Sequence, residues 1–283
     1  MVNLKNYLDD CLHKFNNRDF IKNDPLSIPH RFSKKQDIEI TAFWTAMLAW
    51  GQRKTIINSA TRLFDLMDNA PHDFIVNHQE TDRRRFLDFK HRTFQATDTL
   101  YFLEFLQQYY RQYCSLELAF TQFLSSPTAH PTDFDTIEPA LMGFHPFFFS
   151  LPDAPQRTRK HVPTPTSKST CKRLCMFLRW MVRHDAQGVD FGIWQNLKPA
   201  QLLMPLDVHV ERHARRLGLL TRPRTDWQAV LELTQALRVF DPDDPVKYDF
   251  ALFGLGIMPP AEFFDSAQRS HKVSDTFEAV HTP

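Results

Sequence analysis

Lys172 opens the helical pattern CKRLCMFLRWMVRH, directly behind a basic, proline-punctuated stretch. An amine at the positive end of a helix is where a lysine nucleophile gains most. Such a group can attack an anomeric carbon or form a Schiff base with a sugar aldehyde; a solvent-facing lysine is the plainer reading. Asp207 follows MPL and directly precedes the amphipathic string VHVERHARRLGLL. That position is an N-cap, whose carboxylate accepts amide hydrogens from the first helical turn. Capping and chemistry are compatible, because a carboxylate fixed at a helix start is oriented to stabilise an oxocarbenium-like sugar or to activate a neighbouring nucleophile.

His209 and His213 stand four apart with Glu211 between them. In the metallopeptidase pattern the glutamate directly follows the first histidine, whereas Glu211 falls about 200° round the helix from His209. His184 or Asp207 are conceivable third ligands, but none lies at a zinc-site spacing, and no metal is expected. Cys171 and Cys175 share a helix with the apolar residues Leu174 and Leu178, so they read as core. With Cys11 and Cys114 they make no C-x2-C pair and no disulfide ladder, which predicts reduced thiols.

Charge is local. The whole chain carries a formal +1, but residues 156–184 hold eight basic groups and no acidic one, leaving 26 basic against 33 acidic elsewhere. With Arg212, Arg215, Arg216, Arg222 and Arg224, this supplies material for one electropositive surface suited to a polyanion. The competing reading is a solvated charged face. His161, Phe147, Phe148 and Trp180 are the candidates for a base-accepting aromatic wall.

The elements that must place these groups are helical. Residues 4–15 predict a first amphipathic helix, and IEITAFWTAMLAWGQ one that is buried nearly all round. Gly51 ends it, a second stripe runs from Ile56 to Asp68, and Pro71 closes the gap before three helices over residues 83–124. SSPTAHPTDFD reads as a linker into a short helix at 137–142, and residues 152–170 as an irregular loop of the functional or mobile kind. Lys172, Met176, Arg179 and Arg183 fall on one face of the next helix, which Gly188 ends. A turn or short helix at 191–197, a helix from Asp207 to near Gly218, another over 226–239 and VKYDFALFGLG complete the pattern; the polar end of the chain from Gln268 is expected to fray. No sustained period-two alternation occurs, so the fold class is all-α. The 283 residues, 42% of them hydrophobic, suffice for two lobes: 33–184 as a central lobe, 1–32 with 185–265 as the second, and 266–283 as a flexible tail. The apolar stretches are too short for a bilayer crossing, and MVNLKNYLDDCLHKF lacks the features of a secretory leader. A cytoplasmic protein is expected.

The segment LLMPLDVHVERHARRLGLL resembles the string after the helix-hairpin-helix in the endonuclease-three-like DNA glycosylase superfamily, where a P-V-D-T-H-V-x-R-x-x-x-R-L-G-L pattern carries an essential aspartate. Asp207 takes that place, His209 follows at the same offset, and Arg212, Arg216, Leu217 and Gly218 match the rest. The whole chain is also similar to a bacterial family of unassigned function, through Asp37 to Arg53, Cys171 to Arg183, and Asp244 to Gly256. The glycosylase resemblance implies a two-lobed helical fold with Lys172 as the nucleophilic lysine and Gln52 beside the lesion. Lys160, Lys168, Arg179, Arg183, His209 and Arg212 would contact DNA. Two features depart from it. PTPTSKSTC, residues 163–171, has no glycine where the hairpin normally lets backbone amides approach a phosphate. Gly256 is followed by Ile-Met-Pro-Pro instead of a cysteine array, so neither an iron–sulfur cluster nor another cofactor is expected. The resemblance implies an N-glycosylase, with or without lyase activity, that flips a damaged or modified base out of DNA. The alternatives are a noncatalytic nucleic-acid-binding module and a structural or adaptor protein.

Overall fold

The computed structural model describes residues 4–124 and 136–257; the linker expected at 125–135 and the C-terminal tail lie outside the described residues. Helix α1 (Leu4–Phe15) buries Leu8, Cys11 and Leu12, the stripe its sequence predicts. The short α2 (Arg18–Lys22) is capped by Asn17, whose side chain accepts the Asp19 amide. Two 3-10 turns, each opened by a proline, lead into α3 (Lys35–Leu48). Every residue of α3 from Ile38 to Leu48 is buried, which accounts for the apolar character of its sequence on most sides.

Gly51, at φ 105°, turns the chain into α4 (Arg53–Asp65). A side chain is disfavoured at that angle, and a Cβ there would sit 2.7 Å from the Arg92 guanidinium. Pro71 opens a further helix, α5 (Pro71–Asn77), at a first-turn position where the missing N–H costs nothing. Pro71, expected only to close the gap after the second stripe, is thus the start of a helix that the sequence reading did not include. The three-helix expectation for residues 83–124 resolves as a 3-10 segment at Glu80–Phe86, then α6 (Ala96–Tyr110) and α7 (Glu117–Thr121). Next comes α8 (Glu138–Phe148), longer than the 137–142 helix expected and running past an internal Pro146.

Residues 152–170 contain two 3-10 turns, Gln156–His161 and Pro165–Ser167, before α9 (Lys172–Val182). Helix α9 ends at Val182 with Arg183 in an extended C-cap, five residues before Gly188. Residues 191–197 form no helix: the Phe191 and Trp194 amides donate to the Trp180 and Met181 carbonyls, so the segment doubles back along the end of α9. Helices α10 (Val208–Arg216), α11 (Trp227–Arg238) and α12 (Tyr248–Ile257) follow, the first two capped by Asp207 and Asp226.

The fold is all-α, in two helical lobes. Helix α3 packs on α9, α4 and α5, with α6 on α5, while α1 and α10 both pack on α12. Phe43 of α3 joins the first group, its ring centroid 5.5–5.8 Å from those of Phe102, Phe144, Phe148 and Phe177. A continuous apolar core runs from Leu8 to Leu255 through both lobes. Polar ties cross it: Trp227 Nε1 donates to Glu138 Oε1 at 2.7 Å, and the Ile137 amide to the Gln201 carbonyl at 3.0 Å. Among the described residues no helix is long and apolar enough to cross a membrane.

Candidate functional site

Cys171, in the left-handed region at φ 50°, is the N-cap of α9, and Lys172 is the first helical residue. Lys172, Met176 and Arg179 then recur along one face and line a cavity of about 470 Å³. Asp207 lines the same cavity from the start of α10. Its Oδ1 accepts the amides of His209 at 2.9 Å and Val210 at 3.0 Å, the cap its position predicts. The approach to that cap is buried from Leu202 to Leu206, and the Met204 amide donates to Thr234 Oγ1 at 3.0 Å. With Oδ1 occupied by the helix, Oδ2 faces the lysine, and Lys172 Nζ lies 4.0 Å from it. Both side chains keep access to the cavity, at 26% and 19% exposure.

The remaining walls include residues to which the sequence reading gave no role. Asp24, Trp50, Arg53, Asp249 and Phe253 all border the cavity. Trp50 is held by its neighbours: the His161 ring stacks on it at 5.6 Å, and the Arg173 guanidinium lies 5.0 Å from its centroid. Arg173 is anchored in turn by the Met47 carbonyl at 2.7 Å and the Lys160 carbonyl at 3.3 Å, and burial pulls its pKa down to about 10. Arg53 covers the Phe253 ring at 4.9 Å.

Two carboxyl groups of this wall are pushed toward the neutral form. Burial raises Asp24, against the Leu26 amide and the charges of Arg53, Arg179 and Lys172. Burial also raises Asp249 to about 7, opposed by Arg179 and aided by the negative charge of Asp207. Carboxyl groups shifted by burial and by identified neighbouring charges in one cavity mark a candidate functional site.

The other sequence candidates divide by exposure. Gln52, the N-cap residue of α4, is exposed between the cavity-lining Gly51 and Arg53. Lys160, Lys168 and Arg212 are exposed as well. His209 lines the cavity half-buried, packed so closely on α12 that a Cβ at Gly256 would meet its own Cβ at 2.7 Å. Arg179 and Arg183 are corrected: each is 3% exposed and surrounded by carboxylates, so neither is a surface phosphate contact. Arg179 pairs with Asp190 at 3.2 Å and with Asp249, while Arg183 pairs with Asp185, Asp190 and Asp244 at 2.6, 3.3 and 2.8 Å. In the glycine-free stretch 163–171 the hydroxyls serve local turns. Thr164 caps Thr166, Ser167 donates to the Thr164 carbonyl, and Ser169 accepts the Cys171 amide. Lys168 adopts the left-handed geometry, φ 60°, that a glycine would otherwise supply.

Of the aromatic candidates, His161 braces Trp50, Trp180 lines the cavity, and Phe148 is fully buried in the core, with Phe147 packed against it. Cys171 and Cys175 are buried thiols whose pKa values burial pushes up, to about 12 for Cys171. Among the described residues no group of three or more His, Cys, Asp or Glu side chains is placed to hold a metal ion.

Fold and site together define a two-lobed helical protein with an amine–carboxylate pair in a partly aromatic cavity. The chain matches over residues 24–258 the family described as protein of unknown function DUF2400, and it belongs to that family. The match takes in every cavity-lining residue named above; Phe20 of α2, which also lines the cavity, precedes it. No curated protein and no solved structure matches the chain.

Proposed function

We propose that this protein is a DNA N-glycosylase acting on a damaged or modified base, with Lys172 as the nucleophile of a Schiff-base (lyase) route and Asp207 as its partner carboxylate. The observation that carries the reading is the 4.0 Å approach of the Lys172 amine to the Asp207 carboxylate, in a cavity of about 470 Å³. That volume lies within the usual range for small-molecule sites and suits an everted nucleobase. The resemblance of the Asp207 segment to the helix-hairpin-helix glycosylases supports the same roles.

In this reading a flipped nucleotide places its anomeric carbon at Lys172. The amine lone pair forms the new C–N bond as the base leaves, the proton shed by the amine passes to Asp207, and ring opening gives the imine. Asp207 is suited to the part because its cap bonds hold one oxygen and leave the other facing the amine. Gln52, Lys160, Lys168, His209 and Arg212 are the groups available to the DNA strand, the charged ones contributing through phosphates. Neutralising any one phosphate-binding side chain should make the slope of log K against log salt shallower by roughly 0.9.

Borohydride trapping against lesion-containing and abasic duplexes tests the reading. The wild-type chain is expected to give a covalent adduct that is abolished in K172Q and slowed in D207N. Base release without an adduct would keep the Asp207 role and reject the lysine role. Salt-sensitive duplex binding with neither release nor adduct across the panel, unaffected by K172Q, would make the protein a binding module instead.

A further inference from the structure

Helix α12 delivers a further ionisable group to the cavity. Asp249 sits in its first turn and borders the same space as Lys172 and Asp207. Its Oδ2 is held by the buried guanidinium of Arg179, which is itself steadied by Asp190 at 3.2 Å and by the Phe250 ring at 4.3 Å. The carboxyl group is therefore fixed in direction, and the 7% of the residue that stays exposed belongs to one that lines the cavity. Its setting differs from that of Asp207, which lies at a helix terminus and accepts two backbone amides.

Resting on the glycosylase reading, we propose that Asp249 is the general acid of the site, protonating the departing base as its bond to the sugar breaks. The step balances within the site. The electron pair of the breaking C–N bond leaves with the base nitrogen, and the Asp249 proton ends on the base. The Lys172 lone pair makes the new bond, and the amine proton goes to Asp207. No oxidant or reductant enters.

The surroundings support a proton on Asp249 in the neutral range, because burial is the main influence and raises it to about 7. Arg179 and Lys172 of α9 oppose the shift, while Asp207 and Asp190 reinforce it. His209 of α10, Arg53 of α4 and Asp24 share the cavity, and Asp244 and Lys247 precede α12. On the α1 side, Asp9 accepts the adjacent Tyr248 hydroxyl at 3.0 Å. The substrate class narrows accordingly, to neutral modified bases whose glycosidic nitrogen leaves poorly unless protonated. A cationic alkylated base departs without such help and would meet Lys172, Arg53 and Arg179 in the wall.

An abasic site has no base to protonate, and this separates the two parts of the mechanism. Full-length wild type, D249N and K172Q are compared on a duplex with a neutral modified base and on the same duplex with a preformed abasic sugar. D249N is expected to lose about 100-fold or more in base release, while borohydride trapping at the abasic sugar stays within about 3-fold of wild type. Wild-type base release is expected to fall as pH rises through about 7, with trapping lacking that limb. Unchanged release in D249N, or an equal loss on both substrates from a variant that melts as wild type does, overturns the assignment. If D249N melts early, the wild-type profiles decide alone, and a shared or absent limb overturns it. Absence of both release and adduct in wild type overturns the glycosylase reading itself, whereas an adduct lost only in K172Q leaves that reading standing whatever D249N does.

Discussion

Asp207 has two jobs that can be separated by substitution. As an N-cap it satisfies the His209 and Val210 amides; its contact with Lys172 is 4.0 Å long and partly exposed, a geometry that contributes little to stability. Asp207→Ala is therefore expected to lower the unfolding free energy by about 1 kcal/mol, whereas Asp207→Asn, which keeps a capping oxygen, should cost only a few tenths. Urea denaturation of the two variants checks this, and equal losses would show that the cap is not what holds the start of α10. The helix-start positions of Lys172 and Asp207 were legible, because local pattern fixes them, whereas their pairing was implied only by the glycosylase resemblance. Asp249, Asp24, Arg53 and Trp50 were not legible, although the stretches holding Asp249, Arg53 and Trp50 stood out as motifs. Nothing local says which of their neighbours will be removed from water. Arg179 and Arg183 show the complementary failure: helical spacing placed Arg179 on the face of Lys172, but only the fold brings Asp190, Asp244 and Asp249 over both guanidiniums.

At the scale of elements, Glu39 is what joins α3 to its surroundings. It is fully buried, and its two oxygens accept from Tyr110 Oη at 3.0 Å, Ser115 Oγ at 2.5 Å, the Leu116 amide at 3.1 Å and Trp194 Nε1 at 2.7 Å. Removing one acceptor leaves several buried donors without a partner, so Glu39→Ala is expected to destabilise by about 3 kcal/mol or more and to alter the near-ultraviolet signal of Trp194. A loss below about 1 kcal/mol would mean that water or a shifted side chain takes over those donors. The same region shows why elements were read unevenly. Helices α1, α9, α10 and α11 were legible because each carries an apolar stripe or a cap, and α3 because it is apolar on most sides. Helix α5 was missed because it has seven residues and opens on proline, which serves as a first-turn residue as readily as a breaker. For residues 191–197 the pattern left a turn and a short helix both open, and what decides against helix is that the Phe191 and Trp194 amides bond back to the end of α9, a tertiary choice with no local signature.

Across the whole molecule, the buried ion cluster couples the end of α9 to the loop before α12. Arg183 is 3% exposed and pairs with three carboxylates, and the side chain of its partner Asp190 is fully buried. Arg183→Ala is expected to cost about 3–5 kcal/mol, because it strands a charge away from water instead of merely deleting an attraction. A thermal shift no larger than that of a surface variant such as Lys168→Ala would show that the cluster relaxes or hydrates. Helical class was readable from periodicity, but the closeness of α12 to α1 and α10 depends on Gly254 and Gly256. A Cβ at Gly254 would fall 2.1 Å from the Phe15 ring, a constraint that appears only once the partner helix is in place. The docking of α1 on α12 also sets an order of events during synthesis. Leu8, Cys11 and Leu12 are synthesised long before the helix that covers them, which begins only at Tyr248. At ordinary elongation rates that wait lasts on the order of ten seconds or more. Through that interval the nascent polypeptide presents an uncovered greasy stripe, open to any chaperone that binds apolar segments.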